Sequence, residues 1–388
     1  MGGFGGQAQA FWSWASKLRH RTKHKPPAQQ ACVGAVKTQQ GRMIEPLPTA
    51  PSPAGVLPDR AIARLIAQGA IAADAAFAPD QVQPASLDLR LGRVAYRLRA
   101  SFLPGPAPVA DRLTPDLVMH EIDLTRGAVL ETGCVYLAPL MERLALPADI
   151  ACAANPKSST GRIDVFTRLI CDGASAFDAA PAGYCGPLYA EICPRTFSIL
   201  ARAGDRLNQA RFRRGPIDPI REASFSIDLD RPGPVGYRAR RHVGVLDLAR
   251  VNGHDPTRYW EPLHAENRRI VLDPGEFYIL ASRENVTIGG LEAAEMAPIA
   301  PELGEFRAHY AGFFDPGFGL IAPGARAVLE VRSRDVPFIL DHSQVVGKLV
   351  FEALSERPDR LYGENGSHYQ GQGLKLSKHF QSWPALAG

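Results

Sequence analysis

Residues 155–166, NPKSSTGRIDVF, place Lys157, Ser158, Ser159, Thr160, Gly161 and Arg162 in one short run. A lysine, an arginine and three hydroxyls are donors suited to phosphate or another anion, and the backbone N–H groups of a turn would add to them. Standing alone, the run reads as a polar turn between strands, because Ser, Thr and Gly are turn residues. Two acids stand in apolar surroundings, Glu191 in LYAEI and Glu330 in AVLEV. One such Glu is ordinarily an outward-facing strand residue. If buried, a carboxyl rises in pKa toward the range useful for general acid–base catalysis. A third feature is AGFFDPGFG, residues 311–319, a Pro-Gly turn carrying Asp315.

These groups must be held by local elements. LPDRAIARLIAQGAI predicts a short amphipathic helix that starts at Pro58 or Asp59 and ends at Gly69. Its face is Ile62, Leu65 and Ile66, a lid on a core. In QPASLDLRLG, Leu87, Leu89 and Leu91 alternate with polar residues, which predicts a half-buried strand. Much of this pattern returns about 140 residues later. SLDL at 86–89 matches SIDL at 226–229, Tyr96-Arg97 matches Tyr237-Arg238, VLETGCVYLA matches VLDPGEFYILA, and LNQARF matches VGKLVF. Matches kept in one order point to duplication, and each copy is long enough to be a domain. Between them lie short alternating runs broken by Gly and Pro, so each copy reads as a compact antiparallel β-barrel or sandwich. The expected division is a tail at 1–54, one domain at 55–215 and a second at 216–388.

The copies differ where chemistry is concerned. The second has neither Ser-Ser nor Arg in place of KSSTGR. It has the AGFFDPGFG turn, whereas the first has GASAFDAAPAGYCG, in which Asp178 is the acid that remains.

Composition excludes several classes. The formal charge is +4, and residues 1–45 carry +6 of it, so the rest is slightly acidic and no basic nucleic-acid binder. The first 45 residues read as a flexible basic extension. Phe11, Trp12 and Trp14 beside the charges leave open a contact with a membrane surface or nucleic acid. No apolar run is long enough to span a bilayer, and no secretory signal is evident. The six cysteines lack CxxC spacing and are expected to be reduced, buried thiols in a cytoplasmic protein.

QPASLDLRLG, KSSTGR, AGFFDPGFG, the strand Glu and the tail YGENGSHYQGQGLKLSK together resemble dCTP deaminase, in its two-domain form. The resemblance begins near residue 55 and implies a mainly β fold: two tandem dUTPase-like β-barrel (β-clip) domains with a few short helices. It implies hydrolysis of dCTP to dUTP and ammonia without zinc. The sequence has HAE at 264–266 but no PCxxC to complete a zinc-deaminase signature. Mg²⁺ would come with the triphosphate.

The resemblance also assigns roles. A strand Glu is general base and acid. Ser158 and Arg162 position the water and the pyrimidine edge, and Lys157 and Ser159 hold phosphates. The hairpin residues Ala311, Gly312, Phe313 and Phe314 cup the sugar and base, with Asp315 on the 3′-hydroxyl and a Phe ring excluding a 2′-hydroxyl. Tyr362, His368, Tyr369 and Gln372 close over the phosphates, with His368 standing where the family usually has Lys. A composite site is expected, pairing Lys157, Ser158, Ser159 and Arg162 of the first copy with Asp315 and Glu330 of the second. Glu191 stays open as the rival base, and Asp178 as a substrate contact. Other readings are a dUTPase or bifunctional enzyme releasing dUMP and pyrophosphate, and a nucleotide-binding regulator without catalysis. A homo-oligomer is expected, with threefold symmetry as one arrangement.

Overall fold

The computed structural model describes residues 54–297, 306–309, 312–320, 325–333, 335–364 and 367–384. The expectations for the basic extension and for Ala311 lie outside these residues.

The duplication appears as two copies of one strand order. In the first copy, one sheet runs Ala179–Ala180, Ile150–Pro156, Asn208–Arg214, Ser86–Leu89, Val82–Gln83. In the second it runs Phe313–Phe314, Glu292–Ala297, Val345–Ala353, Arg221–Ser226. The facing sheets match as well. Val165–Cys171, Cys185–Pro194, Val135–Ala145, Val94–Leu98 and Val118–Asp123 stand in the order of Phe306–His309, Ala325–Ser333, Tyr278–Val286, Gly236–Ala239 and Trp260–Leu263. The paired strands of these four sheets are antiparallel. The protein is mainly β.

Registers align the copies residue by residue. Tyr96, Leu137, Glu191 and Arg168 share one rung across the first copy. Tyr237, Ile279, Glu330 and His309 share the matching rung in the second. The two acids are therefore true counterparts.

The described residues form one compact unit, and the copies interlock within it. The larger core is built on Leu87, Leu89, Ile163, Leu169 and Phe212, and it continues into Trp260, Phe277, Ile279 and Phe380 of the second copy. A second core around Ile227, Leu280, Leu329 and Phe351 belongs to the second copy.

The helix forms at Asp59–Ala67 with Pro58 at its N-cap, and Gly69 follows it at φ +76°. Ile62 and Leu65 enter the core as the pattern predicts, while Ile66 is partly buried. The helix does more than cover a core: the Asp59 carboxylate accepts the backbone N–H groups of Asp359 and Arg360, pinning the C-terminal segment. In the strand Ser86–Leu89 all four residues are buried, not half of them. The polar positions turn toward a second buried surface, where Asp88 pairs with Lys157 and Arg206. The thiols depart from expectation too, since Cys185 is exposed and Cys134 half-buried.

One connection distinguishes the copies. In the first, residues 99–117 fold back over the sheet, and Val109, Phe102, Leu113 and Leu117 pack on Ile170 and Tyr189. In the second, the corresponding segment leads outward, and Leu246–Asp247 pairs in parallel with Ile199–Ala201 of the first copy. No helix of the described residues is long and apolar enough to cross a membrane.

Candidate active site

The strand Ile150–Pro156 ends at Lys157, and a single helical turn follows, Ser158–Gly161. The turn is fastened to its own barrel: Lys157 N and Thr160 Oγ1 both donate to the Leu207 carbonyl, at 2.8 and 3.0 Å. Arg162 caps the turn and is 3% exposed. Asp164 follows at φ +54° and pairs with Arg332 of the second copy.

Across from this loop stands the strand Ala325–Ser333 with Glu330 near its middle, 1% exposed. Glu330 Oε1 lies 3.9 Å from Arg162 Nε. Burial pushes the Glu330 carboxyl up to about 8 against the opposing pull of Arg162. Glu330 Oε2 and Arg162 Nε are both buried with no hydrogen-bond partner among the described residues. Arg162 is oriented from the tail, since it donates to the Lys375 carbonyl at 3.0 Å and lies 4.0 Å from the Tyr369 ring centre.

The hairpin closes the other side. Phe313–Phe314 pairs with Glu295 and Ala294, and Asp315 follows, buried. Gly312 has φ +100° and packs so tightly on the loop that a Cβ there would collide with Ser158 Oγ. Asp315 is raised to about 6 by burial, opposed by Arg211 at 3.3 Å.

The tail forms the rim. Gln372 donates to the Arg326 carbonyl at 3.0 Å, Ser377 donates to the Ser159 carbonyl at 2.8 Å, and Lys378 N donates to the Tyr369 hydroxyl at 3.1 Å. Phe380 ends this path inside a nest of Phe197, Tyr259 and Trp260, with ring centres 5.4 to 6.4 Å away.

Together these parts enclose a cavity of about 650 Å³. Lys157, Ser158, Ser159, Arg162, Phe313, Phe314, Asp315, Tyr362, His368, Tyr369 and Gln372 line it. Val328, two residues before Glu330 and on the same strand face, also lines it. One end gathers Lys157, Arg206 and Lys378 with His368, among Asp80, Asp88 and Asp205. Burial and then the neighbouring Lys157 push the Lys378 ammonium down, and burial followed by Lys378, Lys375 and Lys157 does the same to His368. Such mutual depression is relieved by an anion. His379 falls to about 3, mainly from burial, and its Nδ1 shares a hydrogen bond with Ser377 Oγ.

The arrangement has counterparts among known proteins. The model of the 2′-deoxycytidine 5′-triphosphate deaminase N-terminal domain matches residues 53–216, and that of the C-terminal domain matches residues 212–380. The chain belongs to the dCTP deaminase family. A solved structure of 2′-deoxycytidine 5′-triphosphate deaminase from Agrobacterium tumefaciens is 53% identical, with TM-score 0.75, covering 79% of this chain and 99% of that one. "dCTP deaminase, dUMP-forming" of Salinispora tropica is 30% identical over 170 residues, 41% of this chain and 86% of that protein. "dCTP deaminase" of Haloarcula marismortui is 30% identical over 165 residues, 40% of this chain and 79% of that protein.

Two residues expected at the family site stand elsewhere. Glu191 lies on the first copy's own sheet, buried beside Arg168, whose guanidinium stacks between Phe166 and Phe177 at 4.5 and 4.6 Å. Asp178 accepts the Leu169 N–H at 2.8 Å and does not reach the cavity. Register explains why Asp178 stands away from the cavity. Ala180 opposes Cys152, which opposes Phe212, just as Phe314 opposes Ala294, which opposes Phe351. Pro181 therefore takes the place of Asp315, and Asp178 that of Gly312. The first copy keeps the acid of the rung without the hairpin acid. Sequence reasoning also passed over Asp88, Arg206, Lys378 and His379, all on the cavity wall. Asp88 sat in view within SLDL, where strand alternation masked its charge.

Proposed function

We propose that the chain hydrolyses the cytosine amino group of dCTP, giving dUTP and ammonia, in the cavity shared by its two copies. The observation that carries this reading is the buried Glu330–Arg162 pair, each with an unpartnered polar atom, beside a cavity lined elsewhere by Lys157, Arg206 and Lys378. A carboxyl near 8 exchanges protons readily around neutral pH. In the proposed reaction Glu330 takes a proton as water adds to C4 and gives it to N3; it then moves the proton of the new C4 hydroxyl to the amino group, so that the C4–N bond breaks, ammonia leaves and the C4 carbonyl forms. Ser158 and Arg162 orient the water and base edge. Phe313, Phe314 and Asp315 hold the deoxyribose. Lys157, Ser159, Arg206 and Lys378 hold the phosphates with the tail residues Tyr362, His368, Tyr369 and Gln372.

Mg²⁺ belongs to the substrate in this proposal. Among the described residues no three His, Cys, Asp or Glu side chains could cage a metal, and Asp88 is engaged by Lys157 and Arg206. Phosphate and water oxygens suit so hard a cation. Zinc-independent chemistry is likewise proposed, on the lack of a PCxxC partner for HAE in the sequence.

A second reading follows from relatives named dUMP-forming: the dUTP formed would lose pyrophosphate in the same cavity. Incubation of the full chain with dCTP and Mg²⁺, with a chelator control, separates them. dUTP with equimolar ammonia supports deamination alone, and dUMP with pyrophosphate supports the second reading. Binding of dCTP without ammonia overturns both.

A further inference from the structure

The strand Asn208–Arg214 repeats as Val345–Ala353, with Phe212 matching Phe351. One position earlier the copies part: the first has Arg211 and the second Val350. An arginine at a core position of a strand is costly to bury and needs a reason. Arg211 is 0% exposed. Its partners lie in the other copy. It donates to the Ala294 carbonyl at 3.1 Å, to the Phe314 carbonyl at 3.2 Å and to Asp315 Oδ1 at 3.3 Å. Its guanidinium also lies 4.0 Å from the Phe313 ring centre. It does not line the cavity, and it touches the three consecutive residues that do, from behind.

We infer that Arg211 is a positioning residue that sets sugar discrimination, by fixing both the Asp315 carboxylate and the Phe313 ring. The inference rests on the deaminase reading above. The fork geometry matters, since one guanidinium binds two oxygens and stacks on a ring at once, which an ammonium does not. Charge matters as well. Asp315 is pushed up by burial and by Asp88, and held down by Arg211 and Lys157, with the Tyr362 hydroxyl also near it. Removing Arg211 leaves Asp315 more readily protonated and free to turn, so it becomes a poorer acceptor for a 3′-hydroxyl.

The test compares kcat/KM for dCTP with that for 2′,3′-dideoxy-CTP and CTP in the full chain, using Arg211→Met, Arg211→Lys and Asp315→Asn. Loss of a hydrogen bond to a charged group predicts that the dCTP preference over the dideoxy substrate falls by about tenfold or more in Arg211→Met. Arg211→Lys is expected to fall between, and in the Asp315→Asn background it should leave the ratio unchanged. Equal losses on dCTP and dideoxy-CTP, in any Arg211 variant that folds, reduce the arginine to a structural role and overturn the inference. A wild type that releases no ammonia removes the deaminase reading, and this inference with it. A working wild type with an unchanged ratio in the variants removes the inference alone.

Discussion

Glu330 and Glu191 occupy the same rung of the same sheet in two copies, so what separates them is what faces them. Glu330 meets Arg162 and the KSSTGR loop. Glu191 meets Arg168 and the covering segment at 99–117. Glu330→Gln is expected to lower ammonia release by ~10²–10⁴-fold while dCTP still binds, and Glu191→Gln to leave kcat within about twofold; a rapid ammonia assay on both checks this. The pair was visible in the sequence as two acids in apolar strands. Their unequal surroundings were not, because the deciding neighbours are distant in sequence. Asp178 shows the same limit at closer range. It was the acid that remained in the first copy's hairpin run, whereas strand register puts Pro181 at the place of Asp315. The raised Glu330 carboxyl also has a stability consequence. Its folded value of about 8 against an ordinary 4.5 means that ionisation favours unfolding. The penalty grows between those two pH values and is constant above. Glu330→Gln should therefore melt higher than wild type, by a margin that widens from pH 4.5 to about 8 and then levels, as calorimetry would show.

At the scale of elements, the site depends on one close approach. The hairpin of one copy meets the loop of the other at Gly312 and Ser158, where backbone conformation and space both require glycine. Gly312→Ala should displace Ser158 and lower kcat/KM for dCTP by ~100-fold, with little change in the cores, which steady-state kinetics beside a melting curve will separate. The strand-rich, duplicated layout was legible because period-2 alternation and order-preserving matches survive duplication. The paths of 99–117 and of the segment carrying Leu246 were not legible. Both are connections without repeating pattern, and tertiary packing sends one back over its own sheet and the other onto its neighbour.

At the scale of the molecule, the two copies contribute different parts of one cavity wall. Loop, Asp88 and Arg211 come from one copy, and hairpin, Glu330 and tail from the other. The matching face of the first copy lacks the hairpin acid and is covered by its own chain. One dCTP per chain is expected, and titration calorimetry on Glu330→Gln should return a stoichiometry near that value; two per chain would contradict it. That the KSSTGR loop and the hairpin meet was foreseeable from the complementary differences of the copies, since each lacked a part that the other retained.

Phe380 makes the closing tail a tethered strap instead of a free end. Its ring sits among Phe197 of one copy and Tyr259 and Trp260 of the other, beyond every tail residue that touches the cavity. A free end must find its site from the whole volume that its length allows, and ordering it costs entropy at each closure. A segment held at both ends has far fewer arrangements to lose than one held at a single end, so the aromatic nest lowers the entropy cost of keeping the tail residues at the cavity rim.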